Sequence, residues 1–347
     1  MAMSNSLVSR RQGAGSDLLW HGHDKITQFE PFLQRQARDA GRFGPDGASA
    51  VDLHALNADF DRLSIRFEPD AGILWCYQEH GERPCFSPDL LGEVLDLQTR
   101  LQRSFSGVGS RALPLRYVVW ASSTRGIYNL GGDLRLFTQL IGARDADALF
   151  NYGKACVDIC YLNTISLDLP ILTVALVQGD ALGGGFEAVL SNDLVVAEEG
   201  SQFGLPEILF NLFPGMGAYS FLSRRLDGAR ARELIMSGRL YSAEELREIG
   251  LVDLLVPAGR GEAALREHLH GQSQRHAVHS ALSRVARRCH PVTYEELIDV
   301  VHIWVETALG LTDSDLRRME RLAAAQARRQ ARARESAAEA ARFSAAV

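Results

Sequence analysis

The stretch that decides the fold is Val177-Gln178-Gly179-Asp180-Ala181-Leu182-Gly183-Gly184-Gly185-Phe186-Glu187. It follows an apolar run, Ile171 to Val177, that indicates a buried strand. Three consecutive glycines then open an apolar segment typical of a helix. Glycine lets the backbone approach a ligand closely, and the first N–H groups of a helix have no partner within it. The stretch therefore predicts a strand, a turn and a helix start whose N–H groups suit an anion or a developing oxyanion.

Two glutamates accompany this turn. Glu187 lies one turn into the predicted helix, and Glu207 follows in a turn bounded by glycine and proline. Two carboxyls near one polarising site suit general acid and base catalysis. The glycine spacing fits neither the dinucleotide-binding fingerprint nor the phosphate-binding loop. From spacing alone, a catalytic site and a structural turn both remain open.

Composition and charge narrow the class of protein. The 347 residues can form one large domain or two, and the 46% apolar content is sufficient for a large core. The net charge of −6 gives no indication of nucleic-acid binding. No apolar run reaches the roughly 20 residues of a membrane span, and the five scattered cysteines form neither a disulfide framework nor a zinc motif. We therefore predict a cytoplasmic protein with no membrane span, metal or cofactor.

Strand and helix patterns alternate along the middle of the chain, which argues for an α/β fold. Strands are predicted over residues 63–67, 73–77, 117–121, 171–177 and 194–197, and helices over 88–101, 134–141, 146–164, 218–226 and 229–237. Residues 1–55 are rich in glycine, serine and arginine and predict an N-terminal extension that is partly mobile. We expect the core to occupy residues 56–258 and a helical region to occupy residues 259–347.

Several motifs in a fixed order resemble the crotonase (enoyl-CoA hydratase/isomerase) superfamily. They are Ala181–Glu187, Phe203–Glu207 and Pro214–Gly217, and the resemblance extends over roughly residues 63–311. It implies a ClpP/crotonase-like spiral of ββα units with a helical C-terminal region. It also implies a homotrimer or a hexamer, in which the C-terminal helices cover the acyl pocket and make oligomer contacts.

Three further runs are most similar to one branch of this superfamily, the diffusible-signal-factor synthases. They are Tyr128–Leu134, Leu209–Phe221 and His302–Ala308. Members of this branch make cis-2-unsaturated fatty-acid signals from thioesters of acyl carrier protein.

Position by position, the resemblance implies the roles of five residues. Glu187 and Glu207 match the acid/base glutamates, Gly132 and Gly184 match the two donors of the oxyanion hole, and Gly131 is expected to contact the substrate. The resemblance leaves open which glutamate is the acid and which the base, and we favour Glu207 as the base.

A fatty substrate needs an apolar tunnel. Leu136, Leu205, Met216, Trp304 and Leu322 are our candidates for its lining. The last two are included because C-terminal helices often close the acyl pocket in this superfamily. Core packing is the alternative for each of the five.

The predicted reaction is dehydration of a 3-hydroxyacyl thioester to a cis-2-enoyl thioester, followed by hydrolysis to the free fatty acid, a quorum-sensing signal. The carrier is acyl carrier protein or coenzyme A. The residues around Arg125 lack the basic pattern expected for gripping a CoA nucleotide, which is consistent with a carrier protein. The alternatives are an enoyl-CoA hydratase of β-oxidation and a fatty-acyl-binding regulator of a sensor kinase, with a receiver domain as partner.

Two clusters lie outside this assignment. Four histidines between His268 and His279 lack supporting ligands, so we interpret them as a polar helix connection instead of a metal site. Seven arginines but only one acid, Glu320, lie between Arg317 and Arg334, which indicates a solvated helix face. Contact with an acidic protein such as acyl carrier protein is the alternative.

Overall fold

The structure, a computed structural model, describes residues 52–110 and 112–345. The predicted N-terminal extension therefore lies almost entirely outside the described residues, and its extent stays a prediction. The strands are β1 (Leu63–Glu68), β2 (Ile73–Gln78), β3 (Tyr117–Ser122), β4 (Gly126–Asn129), β5 (Leu172–Val177), β6 (Gly179–Leu182), β7 (Leu194–Glu198), β8 (Gln202–Gly204), β9 (Leu240–Ser242) and β10 (Leu254–Val256).

The α-helices follow the same order along the chain. They are α1 (Pro88–Phe105), α2 (Leu134–Gly142), α3 (Ala146–Thr164), α4 (Gly184–Leu190), α5 (Ala218–Arg225), α6 (Gly228–Ser237), α7 (Ala243–Glu248), α8 (Gly261–Gly271), α9 (His276–Cys289), α10 (Tyr294–Leu309) and α11 (Asp313–Ala345).

The strands form two sheets. A six-stranded sheet has the order β1-β2-β3-β5-β7-β10, and a four-stranded sheet has the order β4-β6-β8-β9. From β3 to β8 the strands alternate between the sheets: β3, β5 and β7 join the larger sheet, and the short strands β4, β6 and β8 join the smaller one. Strands β3, β5 and β7 pair in parallel, and so do β4, β6 and β8. The carboxyl ends of β4, β6 and β8 therefore meet at one edge of the smaller sheet.

Local chemistry explains where the helices begin. The Ser87 side chain accepts a hydrogen bond from the Leu90 N–H at the start of α1, and Pro88 occupies the first helical position. Asp133 and Asp145 cap α2 and α3 in the same way. Ser242 and Glu245 form a capping box at the start of α7.

A buried asparagine connects the larger sheet with the helices behind it. Asn163 Oδ1 accepts hydrogen bonds from Gln98 Nε2 at 2.8 Å and Trp120 Nε1 at 2.9 Å. Its Nδ2 donates to Ser191 Oγ at 3.1 Å, just beyond α4. Because buried polar groups cost free energy when left unpaired, this network favours one arrangement of α1, α3 and α4 around the sheet.

The C-terminal helices pack against the site-bearing part of the fold. Gly153 of α3 faces Val301 of α10 so closely that a Cβ on the glycine would lie 2.8 Å from Val301 Cγ1. Helix α11 packs on α2 through Met319, which is fully buried beside Thr138. Among the described residues, no helix is long and apolar enough to cross a membrane.

The predicted α/β class, with parallel ββα units and a helical C-terminal region, is confirmed. The prediction missed β4, β6 and β8, whose residues it assigned to glycine-rich turns. These strands are three or four residues long, which is too short to display the two-residue alternation of a half-buried strand.

Candidate active site

Two glycine turns meet at the edge where β4 and β6 end. Gly131 follows β4 and has a φ of +95°, which glycine adopts without strain. A Cβ on Gly131 would lie 2.8 Å from the Leu182 carbonyl oxygen and 2.9 Å from the Gly184 nitrogen. A side chain at this position would therefore separate the two turns. The contact is one of backbone against backbone.

The N–H groups of Gly132 and Gly184 are both available at this junction. Within the described residues, neither N–H is hydrogen-bonded to a backbone or side-chain acceptor. The neighbouring groups are paired: the Gly183 N–H donates to the Gly204 carbonyl at 2.8 Å, and the Gly131 N–H donates to Asn129 Oδ1 at 2.8 Å. Two adjacent free N–H groups can bind an oxyanion that develops on a substrate carbonyl.

Glu187 extends from α4 into the protein interior and is 1% exposed. Its Oε1 accepts hydrogen bonds from the N–H groups of Met216 at 2.7 Å and Ala218 at 2.9 Å. Burial raises the pKa of Glu187 to about 8, and the charge of Glu207 raises it as well, although these backbone N–H groups act to lower it. Glu187 therefore holds its proton readily at neutral pH.

Glu207 lies in a 3-10 helix, Pro206–Phe210, that follows β8. Its Oε1 is close to the second glycine turn, because a Cβ on Gly183 would lie 2.7 Å from it. Its Oε2 is buried and has no hydrogen-bond partner among the described residues. Burial raises the pKa of Glu207 to about 7. An unpartnered carboxyl oxygen with a pKa near neutrality suits a general base.

Both glutamates and both free N–H groups line one cavity, which contains about 580 Å³ of space, part of it open to solvent. The rest of its lining is mostly apolar. The lining residues are Leu130, Gly132, Leu134, Phe137, Tyr152, Gly153, Cys156, Gly183, Gly184, Glu187, Pro206, Glu207, Phe210, Leu212, Gly215, Met216, Trp304, Leu322 and Gln326. An apolar cavity with a few convergent polar groups is the usual form of a ligand site.

The structure brings most of the predicted site residues together. Met216, Trp304 and Leu322 line the cavity with the glutamates. Leu136 and Leu205, in contrast, are 2% and 1% exposed and lie in the hydrophobic core instead of the cavity lining. Leu136 lies between the lining residues Leu134 and Phe137, and Leu205 immediately precedes Pro206 and Glu207, but both leucines pack in the core.

Gly131 is also absent from the described lining of the cavity. The glycine lies behind the lining, where it spaces the two turns, so its effect on a ligand is through Gly132 and Gly184.

Several lining residues were not predicted. Phe137 lies against Gly132 and makes edge-to-face contacts with Tyr152 and Trp304, at centroid distances of 5.0 and 5.1 Å. Nothing local in the sequence distinguishes these side chains from core residues. Gln326 could have been found, because it lies four residues after Leu322 and therefore on the same helix face.

Comparisons with known proteins agree with this geometry. A family model described as "Enoyl-CoA hydratase/isomerase" matches residues 115–290, about half of the chain. The chain belongs to this family.

Curated relatives match over part of their length. The Mycobacterium tuberculosis (strain CDC 1551 / Oshkosh) protein named "Probable enoyl-CoA hydratase echA8" is 43% identical over 86 residues, which are 25% of this chain and 34% of that protein. The Arabidopsis thaliana protein named "Probable enoyl-CoA hydratase 2, mitochondrial" is 30% identical over 201 residues, 58% of this chain and 62% of that protein. The chain thus matches about a third and about three fifths of the lengths of these relatives.

Solved structures show the same fold. An enoyl-CoA hydratase from Bacillus halodurans superposes with a TM-score of 0.63 at 18% identity, over 75% of this chain and 99% of that one. Pseudomonas aeruginosa DspI superposes with a TM-score of 0.57 at 20% identity, over 71% of this chain and 91% of that one. At these identities the likeness establishes the fold alone.

The raised pKa values predict how stability depends on pH. Between the ordinary glutamate pKa of 4.5 and the folded-state values of about 7 and 8, the folded protein holds protons that the unfolded chain releases. Its stability therefore falls as the pH rises through this window, by up to about 1.4 kcal/mol per pH unit for each proton held.

Replacement Glu207→Gln removes one of these groups. The stability of the variant relative to wild type should therefore be greater at pH 8 than at pH 5. Melting temperatures at both pH values test this, with the exposed Glu199→Gln as control. A difference between Glu207→Gln and wild type that stays constant with pH would contradict the assignment.

Proposed function

We propose that the protein dehydrates a 3-hydroxyacyl thioester and releases the product as a free cis-2-unsaturated fatty acid, a quorum-sensing signal. The observation that carries the proposal is the presence of two buried carboxyls beside two free backbone N–H groups in one apolar cavity. The N–H groups of Gly132 and Gly184 bind the thioester oxygen, which makes the α-proton more acidic.

In the proposed reaction Glu207 is the base and Glu187 is the acid. Glu207 takes the α-proton, and the electron pair of that C–H bond passes through the enolate to form the new double bond. The C–O bond at the β-carbon breaks, and Glu187 protonates the departing hydroxyl to give water. The unpartnered Oε2 of Glu207 supports its role as base, and the high pKa of Glu187 supports its role as acid.

Dehydration leaves the two glutamates in the protonation states that hydrolysis requires. Glu187 is then ionised and Glu207 protonated. Glu187 deprotonates a water molecule that attacks the thioester carbonyl, and the two N–H groups stabilise the resulting tetrahedral oxyanion. The C–S bond breaks, and Glu207 supplies the proton to the departing thiolate, which restores the starting protonation state.

A second, smaller cavity supports a substrate with a phosphate-bearing arm. It shares Leu130, Gly132, Leu134 and Gln326 with the first cavity, so the two are adjacent. Arg83 and Arg135 also line it. Arg83 forms an ion pair with Asp133 at 2.7 Å, and Arg135 is exposed. Arginine is well suited to phosphate, which is present in the arm of both acyl carrier protein and coenzyme A, and we propose the carrier protein.

The second candidate function is hydration of enoyl-CoA. The family match and the names of the Mycobacterium and Arabidopsis relatives favour it. The two glutamates and the oxyanion donors serve hydration and dehydration equally, because the two reactions share a transition state. The carrier and the geometry of the double bond distinguish the two candidates.

We also propose that the protein assembles as a homotrimer or a hexamer. Helix α9 supports self-association, because Val278, Leu282 and Val285 are spaced along one face and are 67%, 65% and 55% exposed. A sedimentation mass of one chain, about 38 kDa, would exclude this assembly, and Leu282→Glu should lower the mass of a trimer or hexamer towards that value.

Replacing either glutamate should abolish product formation. Glu187→Gln and Glu207→Gln keep the size of each side chain but remove the acid or base, which typically contributes about 10²–10⁴ in rate. The measurement is mass spectrometry of free fatty acids from a heterologous bacterium that expresses each variant, with Glu199→Gln as control. A new cis-2-enoic acid in the wild type and the control alone is expected.

Two results would contradict the proposal. If wild-type protein yields no new acid but hydrates enoyl-CoA in vitro, the second candidate function replaces the first. If either glutamine variant forms the acid at the wild-type rate, the catalytic assignment is wrong.

Trp304 should limit the length of the acyl chain. Its indole lies in the cavity lining, 6% exposed, so Trp304→Leu enlarges the cavity. Each further CH₂ buried there contributes about 0.8 kcal/mol, roughly fourfold in kcat/KM. We expect the preferred substrate to lengthen, as measured with a series of acyl thioesters. Ile303→Ala, at the neighbouring exposed residue, is the control. If Trp304→Leu leaves the preferred chain length unchanged, Trp304 does not limit the length of the acyl chain.

A further inference from the structure

The backbone that carries the Gly132 donor is hydrogen-bonded on nearly every polar group. The Leu130 N–H donates to the Pro84 carbonyl at 2.7 Å, and the Gly131 carbonyl accepts from the Phe86 N–H at 2.8 Å. The Gly131 N–H donates to Asn129 Oδ1 at 2.8 Å. From residue 130 to 132, the Gly132 N–H is the only backbone N–H of the turn with no partner among the described residues.

These bonds determine where the Gly132 N–H points. In a planar trans peptide the C=O and the N–H point in opposite directions. The bond from Phe86 to the Gly131 carbonyl therefore orients the Gly132 N–H in the same peptide. Asn129 orients the preceding peptide, and its own amide is oriented by a bond from Nδ2 to Gln78 Oε1 at 2.8 Å.

The Leu130 carbonyl of this turn is paired with a residue almost 200 positions later in the chain. Gln326 Nε2, on helix α11, donates to the Leu130 carbonyl at 2.8 Å. The peptide between Leu130 and Gly131 is therefore held at both its polar groups, by Gln326 on the carbonyl and by Asn129 on the N–H. No other side chain of the described part of α11 is hydrogen-bonded to the turn.

The same helix also contacts the segment that carries Glu207. Asn211 Nδ2, just after the 3-10 helix of Glu207, donates to Asp315 Oδ1 at 2.7 Å. Between the two hydrogen bonds, Met319 is fully buried against α2 and Leu322 lines the cavity. One face of α11 thus joins the oxyanion turn to the segment of the base.

We infer that Gln326 is a positioning residue, which couples the docking of helix α11 to the orientation of the oxyanion donor at Gly132. The inference rests on the proposed function for its catalytic consequence, because Gln326 acts on the reaction only through the turn. The coupling itself is a property of the fold and can be measured without any substrate.

The test compares two substitutions at one position. Gln326→Met keeps the length and helix propensity of the side chain but removes the donor. Gln326→Lys keeps the length and restores a donor to the Leu130 carbonyl. Glu320→Met is the control, because Glu320 is exposed on the same helix.

Hydrogen–deuterium exchange of the segment from Tyr128 to Leu134 is the first readout. Gln326→Met should exchange faster there than wild type, whereas Gln326→Lys and Glu320→Met should not. Unchanged exchange in Gln326→Met overturns the inference, whatever the activity of the enzyme.

Kinetics on an acyl thioester is the second readout. Loss of an oxyanion donor lowers kcat by about 10²–10³, so a misoriented donor in Gln326→Met should lower kcat by about tenfold with KM little changed, and Gln326→Lys should recover it. A raised KM at unchanged kcat would mean that Gln326 contacts the substrate only, which also overturns the inference. Faster exchange in a protein inactive on every thioester would support the coupling and overturn the proposed function instead.

Discussion

The close approach of two glycine turns is the constraint on which the rest of the site depends. Gly131 and Gly184 are in backbone contact, and a single Cβ at Gly131 would collide with the other turn. The parallel pairing of β4 with β6 brings the turns to one edge, and the pairing of β6 with β8 adds the segment of Glu207 at the same edge. The smaller sheet, although its strands are short, therefore determines where each of the proposed catalytic groups lies.

Burial then gives the two carboxyls their chemistry. A carboxylate in an apolar cavity is poorly solvated, so the protonated form is favoured and the pKa rises. The two N–H groups that donate to Glu187 offset part of this cost, whereas the buried Oε2 of Glu207 has no such compensation. The charge of Glu207 nevertheless raises the pKa of Glu187, so the coupling between the two carboxyls, and not hydrogen bonding alone, distinguishes two residues of the same type. It also means that the site is less stable when both are ionised, which is a common cost of catalytic preorganisation.

The sequence was sufficient to predict the parts of the site that neighbouring residues of the chain form. It was insufficient to predict the parts formed by residues that are far apart in the chain. The triple glycine and Glu187 lie in one stretch, so their turn and helix were predictable from spacing, and the caps at Ser87 and Ser242 were predictable from residue type. The strands β4, β6 and β8 were missed because three or four residues carry no readable period. The sequence could not predict that Leu136 and Leu205 pack into the core, since each lies next to cavity-lining residues in the chain. Phe137 and Tyr152 meet only through tertiary packing.

Helix α11 shows how rate and specificity can depend on separate positions of one element. Leu322 and Gln326 lie one turn apart on the same face, and both line the cavity. Leu322 contributes only apolar surface there, so under the proposed function its size affects how much acyl chain the cavity accepts. Gln326 contributes a hydrogen bond to the turn of the proposed oxyanion donor, so under the proposed function its amide affects the transition state. Because the helix is also bonded at Asp315, substitution at Leu322 changes the shape of the pocket while the hydrogen bonds of Asp315 and Gln326 on either side of it are kept. Under the proposed function, a change in the preferred chain length therefore requires no change in the two glycine turns.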